Sequence, residues 1–282
     1  MRLSNSMLRA FFGCPRAYYY RYQMNLVPII EKESAAKLGI LFHRAVELDD
    51  TTLLDENTAS IYEIYKPFLS ALTFKAKELV LCAKFGKVQI QGILDGIIEN
   101  EDGSLSLYEL KTTSSKSSIE KINEVRHNRQ IQLYALIAKK NKMTLRDIVL
   151  DVVSLKQLPM PPRLLKSGKL SMDKSQRTTT KLYREFVETS GYMPTEEEDM
   201  FFEMYFPEDY NPITREIIPI KYNEKDLIAP FKWLARQKEY HKNEASCFNY
   251  GKCDYYELCT ANPCHESQII SSNFKVLENY RN

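Results

Sequence analysis

An α/β fold is predicted for this chain of 282 residues. Helix-patterned segments open the sequence, three strand-patterned runs with glycine-bearing turns occupy its centre, and a further helix and strand follow. Ser4 suits the cap of a short helix that Gly13 ends, and Pro15 suits the first turn of the next, over 17–22. Residues 35–47 read as a helix. Residues 80–85, 87–100 and 104–111 read as successive strands, with turns at Phe85-Gly86-Lys87 and Asn100-Glu101-Asp102-Gly103. A helix over about 126–140 precedes a strand over 146–156. The prolines, serines, threonines and Gly168 of 158–180 suggest a mobile loop before a helix over 181–189. A strand over 213–222 and a helix over 224–243, kinked or broken at Pro230, complete the pattern.

With 44% hydrophobic and 27% charged residues, the chain can fill one large domain or two modest ones. No apolar run approaches the ~18–20 residues that span a bilayer, and Met1-Arg2-Leu3-Ser4-Asn5 does not lead into a signal-peptide core. A cytoplasmic protein with reduced thiols and no membrane partner is expected. The net charge of +2 predicts no partner, but its distribution is uneven. Segment 156–184 carries eight Lys and Arg against Asp173 alone, whereas 195–210 is acidic with no base.

Cys14 lies near one end of the chain, and Cys247, Cys253 and Cys259 lie near the other, with Cys264 as a spare. Soft thiolates select zinc or an iron–sulfur cluster over calcium or magnesium. Buried apolar thiols or disulfides are the ordinary alternative. Cys82, on a predicted strand, reads as core.

The hairpin concentrates the hard-ligand chemistry. With Glu101-Asp102-Gly103 as a three-residue loop and Gly103 left-handed, Asp95 falls opposite Glu109, with β-carbons roughly 5 Å apart. Glu109 and Lys111 share a face of their strand, and Tyr108 and Leu110 point to the other. A paired Asp and Glu beside a Lys makes a site for Mg²⁺ or Mn²⁺ suited to phosphodiester hydrolysis. A solvent-facing hairpin with a cross-strand charge pair is the plainer reading. Gly39 and His43 share a helical face at i, i+4, as do Gln130 and Tyr134, and all four also fit structural roles.

Taken in order, Cys14-Pro15-Arg16-Ala17-Tyr18-Tyr19-Tyr20-Arg21-Tyr22, Gly39-x-x-x-His43, Gly92-Ile93-Leu94-Asp95, Glu109-Leu110-Lys111-Thr112-Thr113, Gln130-x-x-x-Tyr134 and the closing cysteines span nearly the whole chain. In these motifs the chain resembles the RecB-type, iron–sulfur-containing branch of the PD-(D/E)XK nucleases, which includes the AddB nuclease domain, CRISPR-adaptation exonucleases and phage nucleases. The resemblance implies a restriction-endonuclease-like mixed central β-sheet flanked by helices, in a single nuclease domain over 1–282. Residues 1–30 and 244–265 would form the iron–sulfur module, and 157–180 a mobile basic loop. It implies that His43, Asp95, Glu109 and the Leu110 carbonyl ligate Mg²⁺ or Mn²⁺, and that Lys111 is the catalytic lysine. Gln130 and Tyr134 would position metal and DNA, and Cys14, Cys247, Cys253 and Cys259 would hold a [4Fe–4S] cluster. Two departures stand out. Leu94 replaces the proline before the catalytic Asp, and the spacing Cys-x5-Cys-x5-Cys leaves Cys264 as an alternative ligand.

The expected function is a metal-dependent DNA exonuclease on single-stranded or frayed ends, in recombination, repair or phage DNA processing, with a lean toward 5′→3′ polarity. Lys166, Lys169, Lys174 and Arg177 are expected to clamp the phosphate backbone of a single strand, unless their segment is only a solvated loop. The tyrosines of 18–22 would stack on bases or pack around the cluster. Two other functions stay open. One is a non-catalytic zinc- or cluster-containing DNA-binding module, and the other a nuclease subunit active only beside a helicase, recombination or CRISPR-adaptation partner.

Overall fold

The computed structural model describes residues 2–30, 35–114, 117–249 and 251–277. In chain order the elements are β1 (Arg2–Ser4), α1 (Asn5–Gly13), α2 (Pro15–Tyr18), β2 (Leu26–Pro28), α3 (Ala35–Leu48), α4 (Glu56–Ser70), β3 (Phe74–Phe85), β4 (Val88–Glu99) and β5 (Leu105–Thr113). There follow α5 (Ser118–Arg126), α6 (Arg129–Lys140), β6 (Leu145–Ser154), α7 (Thr180–Ser190), α8 (Glu196–Tyr205), β7 (Ile213–Pro219), α9 (Glu224–Leu234), α10 (Tyr256–Thr260), α11 (Glu266–Asn273) and β8 (Phe274–Val276).

Among the described residues, β1 and β3–β7 build a six-stranded mixed sheet. β4 is its pivot. β3 pairs antiparallel along one edge of β4, while the other edge is divided between β1, parallel at Gln89–Gln91, and β5, antiparallel at Gly96–Glu99. Parallel β6 and antiparallel β7 continue the sheet beyond β5. Alternation along β5 and β6 divides the apolar side chains between two helical layers. Tyr108, Leu110, Val149 and Val153 pack with Phe42 of α3 and Ile61 and Tyr65 of α4. Leu107, Ile148, Leu150 and Val152 pack with Ile122 of α5 and Ile131 of α6. Farther along α6, Leu133, Leu136 and Ile137 join Ile90 of β4, Leu8 of α1 and Phe231 of α9. No helix among the described residues is long and apolar enough to cross a membrane.

Several boundaries differ from the sequence reading for identifiable reasons. The helix expected over about 126–140 is α6, which begins at Arg129: Asn128 before it is extended, and its side chain accepts the Gln130 N–H. α5 before it carries a Ser117/Glu120 capping box. α4, capped by Asp55, and α8, capped by a Thr195/Glu198 box, were not read from sequence. Pro230 lies inside α9 without ending it. The helix stops at Leu234, and the chain beyond it presents the Tyr240 and His241 carbonyls to Arg16, which donates from Nε and backbone N–H. The expected helix over 17–22 is α2 followed by a π-helical turn, Tyr19–Gln23.

The basic segment over 157–180 is more than an open connector. Met160 N–H donates to the Arg177 carbonyl, Ser171 N–H to that of Arg163, and Leu164 bridges Leu170. Leu170 is buried with Tyr183 and Phe202. The two charge blocks also meet: Lys181 pairs with Asp209 at 3.2 Å, and Arg184 with Glu208 at 2.7 Å and Glu203 at 3.4 Å. A one-sided charge in sequence is thus partly neutralised by the acidic block that follows it.

The N-terminal and C-terminal segments meet through direct protein contacts. β2 pairs with β8, and the Tyr255 hydroxyl donates to the Leu26 carbonyl at 2.8 Å. Asn243 Nδ2 and Ser246 Oγ both donate to the Gly13 carbonyl at 2.7 Å. Tyr18 and Tyr20 are buried in this framework, at 1% and 3% exposure, so they pack rather than face solvent.

Candidate active site

The β4–β5 hairpin turns through Glu101-Asp102-Gly103, with Gly103 at φ 77° and Gly103 N–H donating to the Asn100 carbonyl. Its ladder runs from Glu99↔Leu105 to Gly96↔Tyr108. One more step in register sets Asp95 across from Glu109. There the ladder gives way to a side-chain contact, and Asp95 Oδ2 accepts the Leu110 N–H at 2.8 Å. On the other edge of β4 the ladder passes from Lys77↔Gly96 to Leu79↔Leu94, and Glu78, facing the gap, has φ 47°. A non-glycine residue in the left-handed region is strained, and such strain gathers at functional sites. Regular pairing therefore lapses on both sides of Asp95.

Glu109 is fully buried. Its Oε1 accepts a short hydrogen bond from Lys111 Nζ and a 3.4 Å one from Gln130 Nε2, while Oε2 has no partner. An unpaired buried carboxylate oxygen costs free energy unless something binds it. Burial raises the Glu109 pKa to about 7, with Asp95 and Glu78 adding to the rise and Lys111 opposing it. Burial works to lower the Lys111 pKa, but Glu109 and Asp95 outweigh it and hold it above the ordinary value. Gln130 donates to the Tyr134 hydroxyl at 2.9 Å, and burial pushes that phenol up to about 12. The Tyr134 ring lies against β4 where a side chain at Gly92 would come within 2.8 Å of it, so glycine permits the approach.

His43 comes from α3, which docks on β5 through Gly39. A β-carbon at Gly39 would meet Thr112 Oγ1 at 2.7 Å. Burial lowers the His43 pKa despite the nearby Asp95, which favours the neutral imidazole that ligates metals. His43, Asp95, Lys111 and Gln130 line one cleft of about 880 Å³. The donors are carboxylate oxygen and neutral imidazole, and an orphan carboxylate oxygen adjoins them, a set that fits Mg²⁺ or Mn²⁺. As they stand, no group of three or more His, Cys, Asp or Glu among the described residues closes on a single point. Leu110, expected to offer its carbonyl, is buried between Glu109 and Lys111.

Sequence reasoning missed several residues here. Glu47 lies one turn after His43 on α3 and also lines the cleft, a spacing that was available to read. Glu78 lines it as well; burial, Asp95 and Glu47 together raise its pKa. Arg9, Arg44 and Lys121 reach the same cleft from three helices. On the opposite face of β5, a network anchors Tyr108. Tyr65 makes a short hydrogen bond with Tyr108 and donates to Asp151 at 2.6 Å, and Arg215 grips both Asp151 oxygens at 2.7 and 2.8 Å.

Of the four residues expected to clamp DNA, none lines this cleft. Lys166 and Lys169 are exposed, Lys174 stands 3.5 Å over the Tyr205 ring, and Arg177 donates to Gln157.

Cys14, Cys247, Cys253 and Cys259 line a second cavity, of about 270 Å³, together with Arg16 and Lys242. All are free thiols; burial raises the pKa of Cys253 and Cys259, and neighbouring thiols add to this. Four soft donors beside two cations suit an anionic thiolate-ligated group. Cys264 is exposed and Cys82 half-buried on β3, and neither lines this cavity.

The family model of the PD-(D/E)XK nuclease superfamily matches residues 2–78 and 59–260. No curated protein matches the chain. Among solved structures, the crystal structure of SSO0001 is 13% identical, with 85% of this chain and 78% of that one covered at a TM-score of 0.38.

Proposed function

We propose, from the premise that this chain belongs to the PD-(D/E)XK nuclease superfamily, that it is a Mg²⁺- or Mn²⁺-dependent DNA exonuclease acting on single-stranded or frayed ends. The observation that carries the reading is Glu109. A fully buried carboxylate with one oxygen unpartnered, beside Lys111 and across from Asp95, is an expensive arrangement for an inert hairpin and an apt one for a cation site.

In this reading His43, Asp95, Glu109 and the Leu110 carbonyl would hold the ion. When bound, the ion supplies Lewis-acid polarisation of the phosphate and eases ionisation of a water. Glu109 must be ionised to take part, so its proton, held up to about pH 7 by burial, has to leave when the site loads. Lys111 stays protonated, orients the attacking water and offsets charge that grows on the phosphate oxygens. The Gln130 amide lines the cleft and is held by its bond to the Tyr134 hydroxyl. The exonuclease mode, the 5′→3′ direction and a role in recombination, repair or phage DNA processing rest on the resemblance of the motifs. Cys14, Cys247, Cys253 and Cys259, which line one cavity, would hold a structural [4Fe–4S] cluster.

The test is digestion of single-stranded DNA labelled at either end, with metal titrated in. Wild-type protein should release the 5′ label first and require Mg²⁺ or Mn²⁺. Asp95→Asn should not cut. Cutting by Asp95→Asn at saturating metal would remove the reading. A colourless anaerobic preparation with one bound zinc would replace the cluster by the soft-metal alternative.

A further inference from the structure

Behind the hairpin, four side chains form one hydrogen-bonded network across the sheet. Arg215 of β7 donates to the two Asp151 oxygens on β6 at 2.7 and 2.8 Å, and the Tyr65 hydroxyl of α4 donates to Asp151 Oδ2 at 2.6 Å. A hydroxyl has one proton to give. With that of Tyr65 committed to Asp151, the Tyr108 hydroxyl of β5 is the donor in the short bond between the two phenols. Arg215 Nη2 also donates to the Phe68 carbonyl in the last turn of α4, at 3.0 Å, where the helix dipole favours a cation. Tyr65, Tyr108 and Asp151 are all fully buried. A buried ion pair returns little stability beyond that of apolar residues of similar size, and its best-attested use is to fix one arrangement among several.

Its neighbours show what it fixes. Register sets Leu110 beside Asp151 and Gly96 beside Tyr108. Leu110 N–H is the donor to Asp95, and Gly96 follows Asp95 in β4. The Phe74 ring closes the same corner, edge-on to Tyr108 at 5.0 Å, and a β-carbon at Gly96 would come within 2.8 Å of it. On the helical side, the buried Phe42 ring packs against that of Tyr65, 6.0 Å between centroids, and the next residue of α3 is His43. Tyr108 itself lines a small pocket of about 20 Å³ together with His43 and Asp95. Strand register sets the spacing of Asp95 and Glu109 within the hairpin. No register sets the distance from His43, on a helix, to either of them.

We propose that Tyr65, Tyr108, Asp151 and Arg215 are positioning residues for the cation site, holding α3 and the β4–β5 hairpin at the spacing that lets His43 share an ion with Asp95 and Glu109. The inference rests on the metal-dependent nuclease reading and adds what sets the geometry of its site. Tyr65 is the joint: its ring meets Phe42, and its hydroxyl meets Tyr108 and Asp151. Small ions such as Mg²⁺ demand near-ideal octahedral geometry, so a slight drift of α3 from the hairpin costs affinity.

The experiment measures Mn²⁺ binding to the full-length protein without DNA, from the electron paramagnetic resonance signal of free Mn²⁺, with cleavage followed over the same metal titration. Tyr65→Phe combined with Tyr108→Phe removes both hydroxyls, keeps both rings and leaves Asp151 its bonds to Arg215. It should weaken Mn²⁺ binding by about 10–100-fold, the range for outer partners that orient metal ligands. Cleavage should need correspondingly more Mn²⁺ and return to roughly the wild-type rate at saturation. Tyr65→Phe alone should shift affinity in the same direction, and it carries the test if the double variant fails to fold. Phe231→Leu, in the core shared by α1, α6 and α9, loosens packing away from the network and should bind Mn²⁺ as wild type does. An equal shift in Phe231→Leu would reduce the network to general stability and overturn its positioning role. Wild-type affinity in both tyrosine variants would overturn it too, while loss of binding in Asp95→Asn kept the nuclease reading standing. Wild-type protein that binds no Mn²⁺ would remove that reading, and the inference with it.

Discussion

The Asp95 cleft and the cysteine cavity bring their side chains together in two different ways. In the cleft the central residues come from one hairpin, and the sheet itself sets their spacing: Asp95 meets Leu110 N–H, and Lys111 and Gln130 reach Glu109. In the cavity Cys14 meets three cysteines some 230 residues later, on turns and short helices held by side-chain bonds to the Gly13 carbonyl. The sheet register sets the first arrangement, and its buried carboxylate calls for a bound cation. The second lies where the chain has least regular structure, so whatever fills it bears more directly on stability.

The sharpest way to separate them is to damage one and watch the other. Glu109→Gln should lower cleavage by at least ~10²–10³-fold with DNA binding retained. Its absorbance near roughly 400 nm, expected for a thiolate-bound cluster, should be that of wild type. A bleached Glu109→Gln protein would mean the two sites are coupled. Next in size, Asp151→Ala strands Arg215 and Tyr65 behind the hairpin, and breaking such a pair costs about 3–5 kcal/mol. Denaturant unfolding checks it, and an unchanged midpoint would deny that this network braces β5.

Cys14→Ala should abolish the absorbance and destabilise the chain by about 2–4 kcal/mol, by analogy with cross-links that close long loops. Cys264→Ala should do neither. Bleaching by Cys264→Ala alone would reassign the ligands.

The smallest effect belongs to a region outside both sites. Burial works to raise the Glu198 pKa, but hydrogen bonds from Thr195 and Tyr192 prevail and hold it below the ordinary 4.5. A depressed carboxylate pKa stabilises the fold above the unfolded value and loses that contribution as pH falls through the folded one. Glu198→Gln should therefore cost about 1 kcal/mol at neutral pH, and the gap from wild type should close as pH drops below 4.5. A gap that persists in acid would show that packing, not charge, makes the contact.

Much of the cleft was legible because its information is local. Gly103 and a three-residue turn determine the hairpin register, and register determines which residues face one another. Spacing alone also sets His43 one helical turn from Gly39. Charge was less legible. The block over 156–184 looks one-sided until α8 and the residues after it fold back to pair with Lys181 and Arg184. The cysteine set stood out by residue type, but its role as one ligand set came from resemblance of motif, since nothing in the spacing of Cys14 from Cys247 reports their distance in space.

By itself, then, the sequence determined the strands and the hairpin, the pairing of Asp95 with Glu109, and the helical faces of His43 and Gln130, because each follows from backbone periodicity over a few residues. Only the tertiary structure decided that Glu78 and Glu47 face Asp95, that Asp151 and Arg215 brace Tyr108, and that the four cysteines share a cavity. It alone left an edge of β4 open between β1 and β5. These depend on which surfaces pack against which, and on the burial that shifts Glu109 and His43. Such burial is a property of the whole core and of no segment in it.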